Sequence, residues 1–264
     1  MARPTKRRDG VPMTGAERQS RYRKRLRKTI NRKARARYKL AKQDKTAALR
    51  REASRNAPPL PDGMDLRIGD CREVLADIAD DSAALILTDP PYAAAAEPLY
   101  EWLAAFAARV LIPGGSLICW LGCWDVPRIT NILAQSLNWH WLCQMPLTGG
   151  GQRLYGKNVL CNARPIAWCT KGRRRGGREA LLMPDVFVSP RRDKLAHAWA
   201  QGEGGVWTPI ENLTEPGELI VDPFAGTATW GKIAASMGRR WIGADIIRGG
   251  APSVQAEIDP EAAP

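Results

Sequence analysis

Two short segments combine acidic residues with backbone-restricting neighbours in ways that can do chemistry. The first is Leu85-Ile86-Leu87-Thr88-Asp89-Pro90-Pro91-Tyr92. Its paired prolines fix φ at both positions and remove two backbone donors. The turn therefore offers an Asp carboxylate and carbonyl oxygens with few competing N–H groups, and an aromatic ring follows at once. Such a corner suits a planar ligand that donates from an NH2 group. Asp89 and the Pro90 carbonyl would accept from the amine, Pro91 would stiffen the corner, and Tyr92 would stack on the ring. The bland reading is a strand that simply stops at Pro90-Pro91, with Tyr92 an ordinary rim aromatic.

The second segment is Leu219-Ile220-Val221-Asp222-Pro223-Phe224-Ala225-Gly226-Thr227-Ala228-Thr229. An apolar strand ending in Asp, then small residues around Gly226, then a helix start, has the form of a nucleotide-binding turn. Gly226 permits close backbone approach, and Thr227 or Thr229 is placed to cap the helix. Further along, Asp245 ends Trp241-Ile242-Gly243-Ala244-Asp245. An acidic strand tip at that distance matches an acceptor for ribose hydroxyls; the bland reading is a surface loop carboxylate.

Alternating elements must hold these turns. Strands are expected at Leu66–Asp70, Ala84–Thr88, Ser116–Leu121, Trp139–Met145, Pro165–Thr170, Leu219–Val221 and Trp241–Asp245. Helices are expected at Cys71–Ala79, Glu97–Val110, Asp125–Gln135 and Thr229–Met237. Strands alternating with helices of this length imply a mainly parallel sheet covered on both faces. Such sheets bind ligands at the carboxyl ends of their strands, which is where Asp89 and Asp222 fall. Ala57-Pro58-Pro59-Leu60-Pro61-Asp62-Gly63 reads as a linker, so residues 56–63 join an arm to a domain at 64–247, with a tail at 248–264.

The charge is unevenly spread. Of the 40 Lys and Arg, 21 lie in residues 1–55 against 4 Asp and Glu, a net of +17, while the remaining 209 residues carry a net of −4. This asymmetry points to a polyanionic partner, nucleic acid above all. Thr14 with Glu17 three residues later forms a capping-box pattern, and Tyr22, Leu26 and Ile30 make one thin apolar stripe. The arm reads as basic and helical, partly disordered, and suited to DNA phosphates; a solvated tail with no specific role is the bland alternative. No apolar run approaches the roughly 18 residues of a membrane span, and no apolar stretch follows the basic N-terminus as in a signal peptide. The six cysteines include no C-x-x-C pair and there are only two histidines. They read as buried, reduced thiols of a cytoplasmic protein, with no metal site.

Together these residues resemble the amino-group DNA methyltransferases. Asp89-Pro90-Pro91-Tyr92 looks like their catalytic motif and Asp222-Pro223-Phe224-Ala225-Gly226 like their cofactor motif. The catalytic motif comes first, as in the permuted group called beta. Gly69-Asp70-Cys71 resembles a segment whose Asp lies near the cofactor adenine, and Gly238-Arg239-Arg240-Trp241-Ile242-Gly243 another family segment. Lys194, His197, Trp199 and Gln201 resemble a cofactor-side motif of phage-type members. Ala228 departs from the usual glycine at its position. The resemblance covers roughly residues 64–247.

The resemblance implies a Rossmann-like S-adenosylmethionine-dependent methyltransferase fold. It has seven mostly parallel strands in the order 3-2-1-4-5-7-6, with Leu219–Val221 as strand 1. It implies S-adenosyl-L-methionine as cofactor, held by Asp70, Asp222, Phe224, Gly226, Thr227, Asp245, Lys194 and His197. The expected activity is site-specific methylation of adenine N6 in double-stranded DNA, with the target base flipped out, as in DNA modification and restriction-modification enzymes. A homodimer is compatible with this. Residues 146–193, with Arg153, Lys157, Arg164, Lys171, the Arg173–Arg178 loop, Arg191 and Arg192, are the expected target-recognition region. N4-cytosine methylation is the chief rival on the same fold; that branch more often has Ser before Pro-Pro, so Asp89 leans to adenine. RNA or protein methylation and a non-catalytic DNA-binding module are further alternatives. Cytosine-C5 chemistry lacks its Pro-Cys nucleophile here, since none of the six cysteines follows a proline.

Overall fold

The computed structural model describes residues 60–246 apart from 93–95, 125, 148–150, 155–156, 177–181 and 189–204, together with Thr14, Glu17, Gln19 and Ser20. The chain divides into two units, Met1–Leu49 and Arg50–Pro264. In the first, the capping box reads as expected. The Thr14 N–H and hydroxyl donate to Glu17 Oε2 at 2.8 and 3.0 Å, the Glu17 N–H donates back to Thr14 Oγ1 at 3.3 Å, and Glu17, Gln19 and Ser20 are helical. The rest of the basic arm lies outside the described residues, as do Lys194, His197, Trp199, Gln201, Arg191, Arg192 and the tail.

The second unit carries a seven-stranded sheet. Its strands are β1 (Met64–Ile68), β2 (Ala83–Thr88), β3 (Leu111–Trp120), β4 (Asn138–Pro146), β7 (Ala163–Thr170), β8 (Leu219–Asp222) and β9 (Arg240–Asp245). A separate hairpin pairs β5 (Gln152–Leu154) with β6 (Val159–Cys161). The helices are α1 (Cys71–Val74), α2 (Glu97–Val110), α3 (Val126–Ala134), α4 (Trp207–Leu213) and α5 (Thr229–Ser236). The sheet order is β1-β9-β8-β2-β3-β7-β4, with β7 antiparallel to both neighbours and the other pairs parallel. Counting β8 as strand 1, this is the expected order 3-2-1-4-5-7-6.

Burial on both faces follows from the apolar runs of the central strands. Along β2, Ile86 points to one layer and Leu85 and Leu87 to the other; β3 splits the same way, with Leu117 and Cys119 against Ile118 and Trp120. α2 and α3 cover the first face through Leu103, Ala107, Ile129 and Leu133. α4 and α5 cover the second through Ile210, Leu213, Ile233 and Ala234. The helix after β8 and the helix after β2 thus lie on opposite faces of adjacent strands. That is a topological switch point, where a crevice opens at the carboxyl ends.

Three expectations are corrected. The helix expected over Cys71–Ala79 ends at Val74, because arginine side chains from elsewhere take the carbonyls that a longer helix would use: Arg67 Nη1 donates to Val74 O at 2.8 Å and Arg109 Nη2 to Ala76 O at 3.5 Å. The strand expected from Ser116 begins at Leu111. Pro113-Gly114-Gly115 runs within it as a bulge, since Gly114 takes φ +80° and the register with β2 shifts between Ala83 and Leu85. The hairpin β5–β6 has no counterpart among the expected elements; Asn158 at φ 53° lies just before β6. Among the described residues no helix is long and apolar enough to cross a membrane.

Candidate active site

β2 and β8 are neighbours, so the turns that follow them open at the same end of the sheet. A hydrogen bond ties their roots together: Thr88 Oγ1, on a fully buried side chain, donates to Asp222 Oδ1 at 2.7 Å. The same oxygen accepts from the Phe224 N–H at 3.1 Å, which folds the chain back over the strand end. Asp222 is buried, and loss of water pushes its carboxyl up to about 7, helped by the negative charges of Asp89 and Asp245 and opposed by the Thr88 and Phe224 hydrogen bonds. The charges of Asp89 and Asp245, the two other carboxylates that the sequence singled out, therefore both reach Asp222.

Asp89 stands just past the end of β2, with Pro90 buried beneath it and Pro91 and Tyr92 exposed. The Tyr92 hydroxyl donates to Asp89 Oδ1. On the other side, Arg164 Nη1 lies 3.7 Å from Asp89 Oδ2. Desolvation by the surrounding protein raises the Asp89 carboxyl above its ordinary value, while the Tyr92 hydrogen bond and the Arg164 charge draw it down. Desolvation by the surrounding protein and the adjacent carboxylate likewise push the Tyr92 phenol up, so it stays a neutral donor. The buried Tyr100 of α2 donates to the Pro91 carbonyl at 3.5 Å. Opposite, Gly122 follows β3; a Cβ there would stand 3.1 Å from Tyr92 Cβ and 3.3 Å from Cγ. The glycine is thus what lets the aromatic plate sit where it does.

The second turn is built on β8 and β9. Asp245 Oδ2 accepts from the Gly226 N–H at 2.9 Å, and Ala225 N–H donates to Ala244 O at 2.8 Å. Gly226 has φ +55°, and no atom lies within 4 Å of where its Cβ would be, so it borders open space at the start of α5. Ala228 takes the N-cap position at φ 57°, a left-handed conformation that costs an alanine roughly 1 kcal/mol. Neither threonine caps α5 through its side chain, contrary to expectation; the Thr227 and Thr229 hydroxyls instead bond each other at 2.8 Å. Close packing behind the turn depends on Gly231 and Gly243, where a Cβ would meet the Trp241 indole at 2.6 and 2.1 Å.

Asp70 sits at the end of β1, one residue from Gly69, whose N–H donates to Asp245 O at 3.0 Å. Its carboxylate caps α1 through the Arg72 N–H at 2.9 Å and pairs with the Arg72 guanidinium at 2.6 Å, which lowers it to about 2. Phe224 is half-buried against the first core layer.

The basic residues of 146–193 separate. Lys171 Nζ donates to Asp81 Oδ1 at 2.7 Å and Arg175 Nη1 to Glu218 Oε1 at 2.6 Å, both at the opposite end of the strands from Asp89, where they clamp the fold. Arg174 lies over the Trp168 ring at 5.0 Å. Arg164, at the other end of β7, faces Asp89 instead. Two of the six cysteines also depart from the expected buried thiols: Cys123 and Cys161 are half-buried, with their sulfurs 2.7 Å apart beside the Ala163 carbonyl.

Sequence reading missed Thr88, Gly122, Tyr100 and the Asp89 side of Arg164. Thr88 carried a signal, the lone polar residue closing an apolar strand. Arg164 carried none, because its position depends on β7 running antiparallel to its neighbours.

A switch-point crevice flanked by an Asp-Pro-Pro-Tyr corner and a glycine turn anchored on an acidic strand tip defines the Rossmann-like methyltransferase fold. The profile of the N6/N4 DNA methylase family matches residues 206–252, which hold the second turn. A putative methylase, YubD, of Escherichia coli K12 is 25% identical over 199 residues, covering 68% of this chain and 83% of that protein. The type II methyltransferase M.HinfI of Haemophilus influenzae is 24% identical over 232 residues, covering 66% of this chain and 62% of its own length. Among solved structures, the cytosine-N4-specific PvuII DNA methyltransferase superposes with a TM-score of 0.56 at 16% identity, over 75% of this chain and 89% of that one. A putative DNA modification methylase from Thermus thermophilus, solved with S-adenosyl-L-methionine, gives 0.52 at 20%, over 70% and 90%. The chain is accordingly similar to amino-group DNA methyltransferases and shares their fold.

Proposed function

We propose that this chain methylates an amino group of DNA, adenine N6, with S-adenosyl-L-methionine as donor. The observation that carries this reading is the placement of the two turns: the Asp89 corner and the Gly226 turn leave the same end of adjacent parallel strands, roots joined by the Thr88–Asp222 hydrogen bond. The second turn fits the cofactor chemically. Gly226 borders open space, Asp245 is fixed at the tip of β9, and the start of α5 presents backbone N–H groups. Asp222, Phe224, Gly226, Thr227 and Asp245 would hold it, with Asp70 at the neighbouring strand end and Lys194 and His197 as further expected contacts. Bound there, it supplies a methyl group activated by a sulfonium.

The chain's own residues do the rest. Asp89 and the Pro90 carbonyl accept the two amine hydrogens and aim the nitrogen lone pair into the cleft, while Pro91 keeps the corner rigid. Tyr92, backed by Gly122, presents a face for the flipped base to stack on. Direct in-line transfer needs no covalent intermediate, and positioning supplies much of the rate. Asp rather than Ser before the two prolines favours adenine over cytosine.

The test incubates the full chain with methyl-labelled S-adenosyl-L-methionine and DNA, RNA or no acceptor, then digests the product to nucleosides. N6-methyldeoxyadenosine is expected. N4-methyldeoxycytidine would redirect the base assignment, and label in RNA alone would reject the reading. Asp89→Ala is expected to abolish transfer and to leave cofactor affinity, read by calorimetry, unchanged.

A further inference from the structure

We propose that Arg164 is a positioning residue for this transfer, a cation delivered by β7 that holds the Asp89 carboxylate ionised and correctly turned to accept the amine. The inference rests on the reading of Asp89 given above and adds the group that keeps Asp89 competent. Arg164 Nη1 lies 3.7 Å from Asp89 Oδ2, while the Tyr92 hydroxyl occupies Oδ1. The tyrosine hydroxyl fixes one carboxylate oxygen, and the guanidinium lies at ion-pair distance from the other.

The sheet, not a loop, delivers Arg164. It lies one residue into β7, in register with Met145 of β4, and the next residue, Pro165, accepts from the Leu121 N–H at 2.9 Å where β3 ends. Just before it, the Cys123 and Cys161 thiols meet on the Ala163 carbonyl. The approach to the arginine is therefore braced on both sides.

The charges around Asp89 explain why a cation is needed there. From its own turn it faces the neutral Tyr92, from β3 the buried Cys119, and from β8 the carboxyl of Asp222. Apart from Arg164, each of these neighbours is neutral or acidic, and the protein around Asp89 strips water from it. That loss of water drives a carboxyl towards its protonated form. A protonated Asp89 donates a hydrogen where the amine needs an acceptor, so the lone pair is no longer aimed. Arg164 opposes that drift, and its fork of donors can follow the carboxylate as the base enters.

The experiment uses the full chain as wild type, Arg164→Gln, Arg164→Lys and Asp89→Ala. Carboxyl 13C NMR, without cofactor or DNA, reads the titration of Asp89, assigned by the signal missing from Asp89→Ala. Single-turnover methyl transfer is followed from pH 5 to 9. In Arg164→Gln the Asp89 midpoint is expected to rise by about one unit or more. The acid limb of the rate profile should move up with it, so that the rate one unit below the wild-type limb falls about tenfold. Arg164→Lys should return both towards wild type, which also shows that a loss in Arg164→Gln is not misfolding. If Arg164 serves only a DNA phosphate, the midpoint and the limb stay put, DNA binding weakens and its salt slope drops by about 0.9; that result overturns the proposal. An Asp89→Ala variant as active as wild type removes the role of Asp89, and this inference with it. An inactive Asp89→Ala beside an Arg164→Gln of wild-type pH dependence removes the role of Arg164 alone.

Discussion

Asp222 is buried at the end of β8, where loss of water pushes its carboxyl up to about 7, and its hydrogen bond with Thr88 joins the two halves of the site. Its Oδ1 accepts from Thr88 and from the Phe224 backbone, bonds that a neutral side chain can keep. Unfolded, the group titrates near 4. The folded state therefore binds the proton more tightly. The resulting stabilisation is fully present below pH 4 and is lost as pH rises from about 4 to about 7, a swing on the order of 4 kcal/mol. Asp222→Asn preserves an acceptor for Thr88 and Phe224 and cannot ionise. The melting temperature of Asp222→Asn relative to wild type should accordingly climb as pH is raised from 5 to 8, by several degrees for a domain of this size. A difference that stays flat across that range would mean Asp222 is not held protonated by its surroundings.

At the scale of elements, the ends of strands matter more than their middles. β2 delivers Asp89, β8 delivers Asp222 and β9 delivers Asp245, while β3 contributes the space left by Gly122. An alanine at Gly122 would bring its Cβ to 3.1 Å from Tyr92 Cβ, so the ring must give way by a few tenths of an ångström. Gly122→Ala should lower the rate of base methylation by roughly tenfold, since reacting groups misplaced by an ångström lose about a hundredfold. Its melting temperature should stay near that of wild type. A variant with wild-type turnover would show that the position of Tyr92 is not critical.

Much of this arrangement was legible beforehand because the information is local. A run such as Leu85-Ile86-Leu87 can bury both faces only inside a covered parallel sheet, and prolines or glycines end the runs where the chemistry sits. The strand order that the family resemblance implies, with the motif order placing each strand in it, is the order the structure has. What local pattern could not supply was decided by distant partners. α1 stops early because Arg67 claims its last carbonyl, at Val74, and Arg109 that of Ala76 just beyond it, and Arg164 faces Asp89 because β7 runs against its neighbours. The Gly114 bulge keeps Pro113-Gly114-Gly115 inside β3, so the strand starts at Leu111 rather than at Ser116. The β5–β6 hairpin did leave a trace, Gly156-Lys157-Asn158 between two apolar stretches.

For the whole molecule, the charge is divided as sharply as the fold. Residues 1–55 carry a net +17, whereas the remainder, which includes the cleft and its acidic turns, carries a net −4. A catalytic unit that is itself slightly anionic gains little from long-range attraction to a polyphosphate, so the arm is expected to carry the electrostatic part of DNA binding. Binding that neutralises phosphates releases counterions, and each contact adds about 0.9 to the slope of log affinity against log salt. Removing residues 1–55 should therefore weaken DNA binding at 50 mM salt far more than at 200 mM and flatten the slope by several units, as measured by fluorescence anisotropy on a labelled duplex. Cofactor affinity and the Asp89-dependent step at saturating DNA should survive the deletion, because every residue assigned to them lies beyond position 63. A truncated chain whose salt slope matches the full-length protein would place the DNA-binding charge on the catalytic unit instead. Arg153 in β5 and Lys157 in the turn before β6, whose ammonium lies 5.9 Å from the Trp124 ring, would then be the ones to neutralise next.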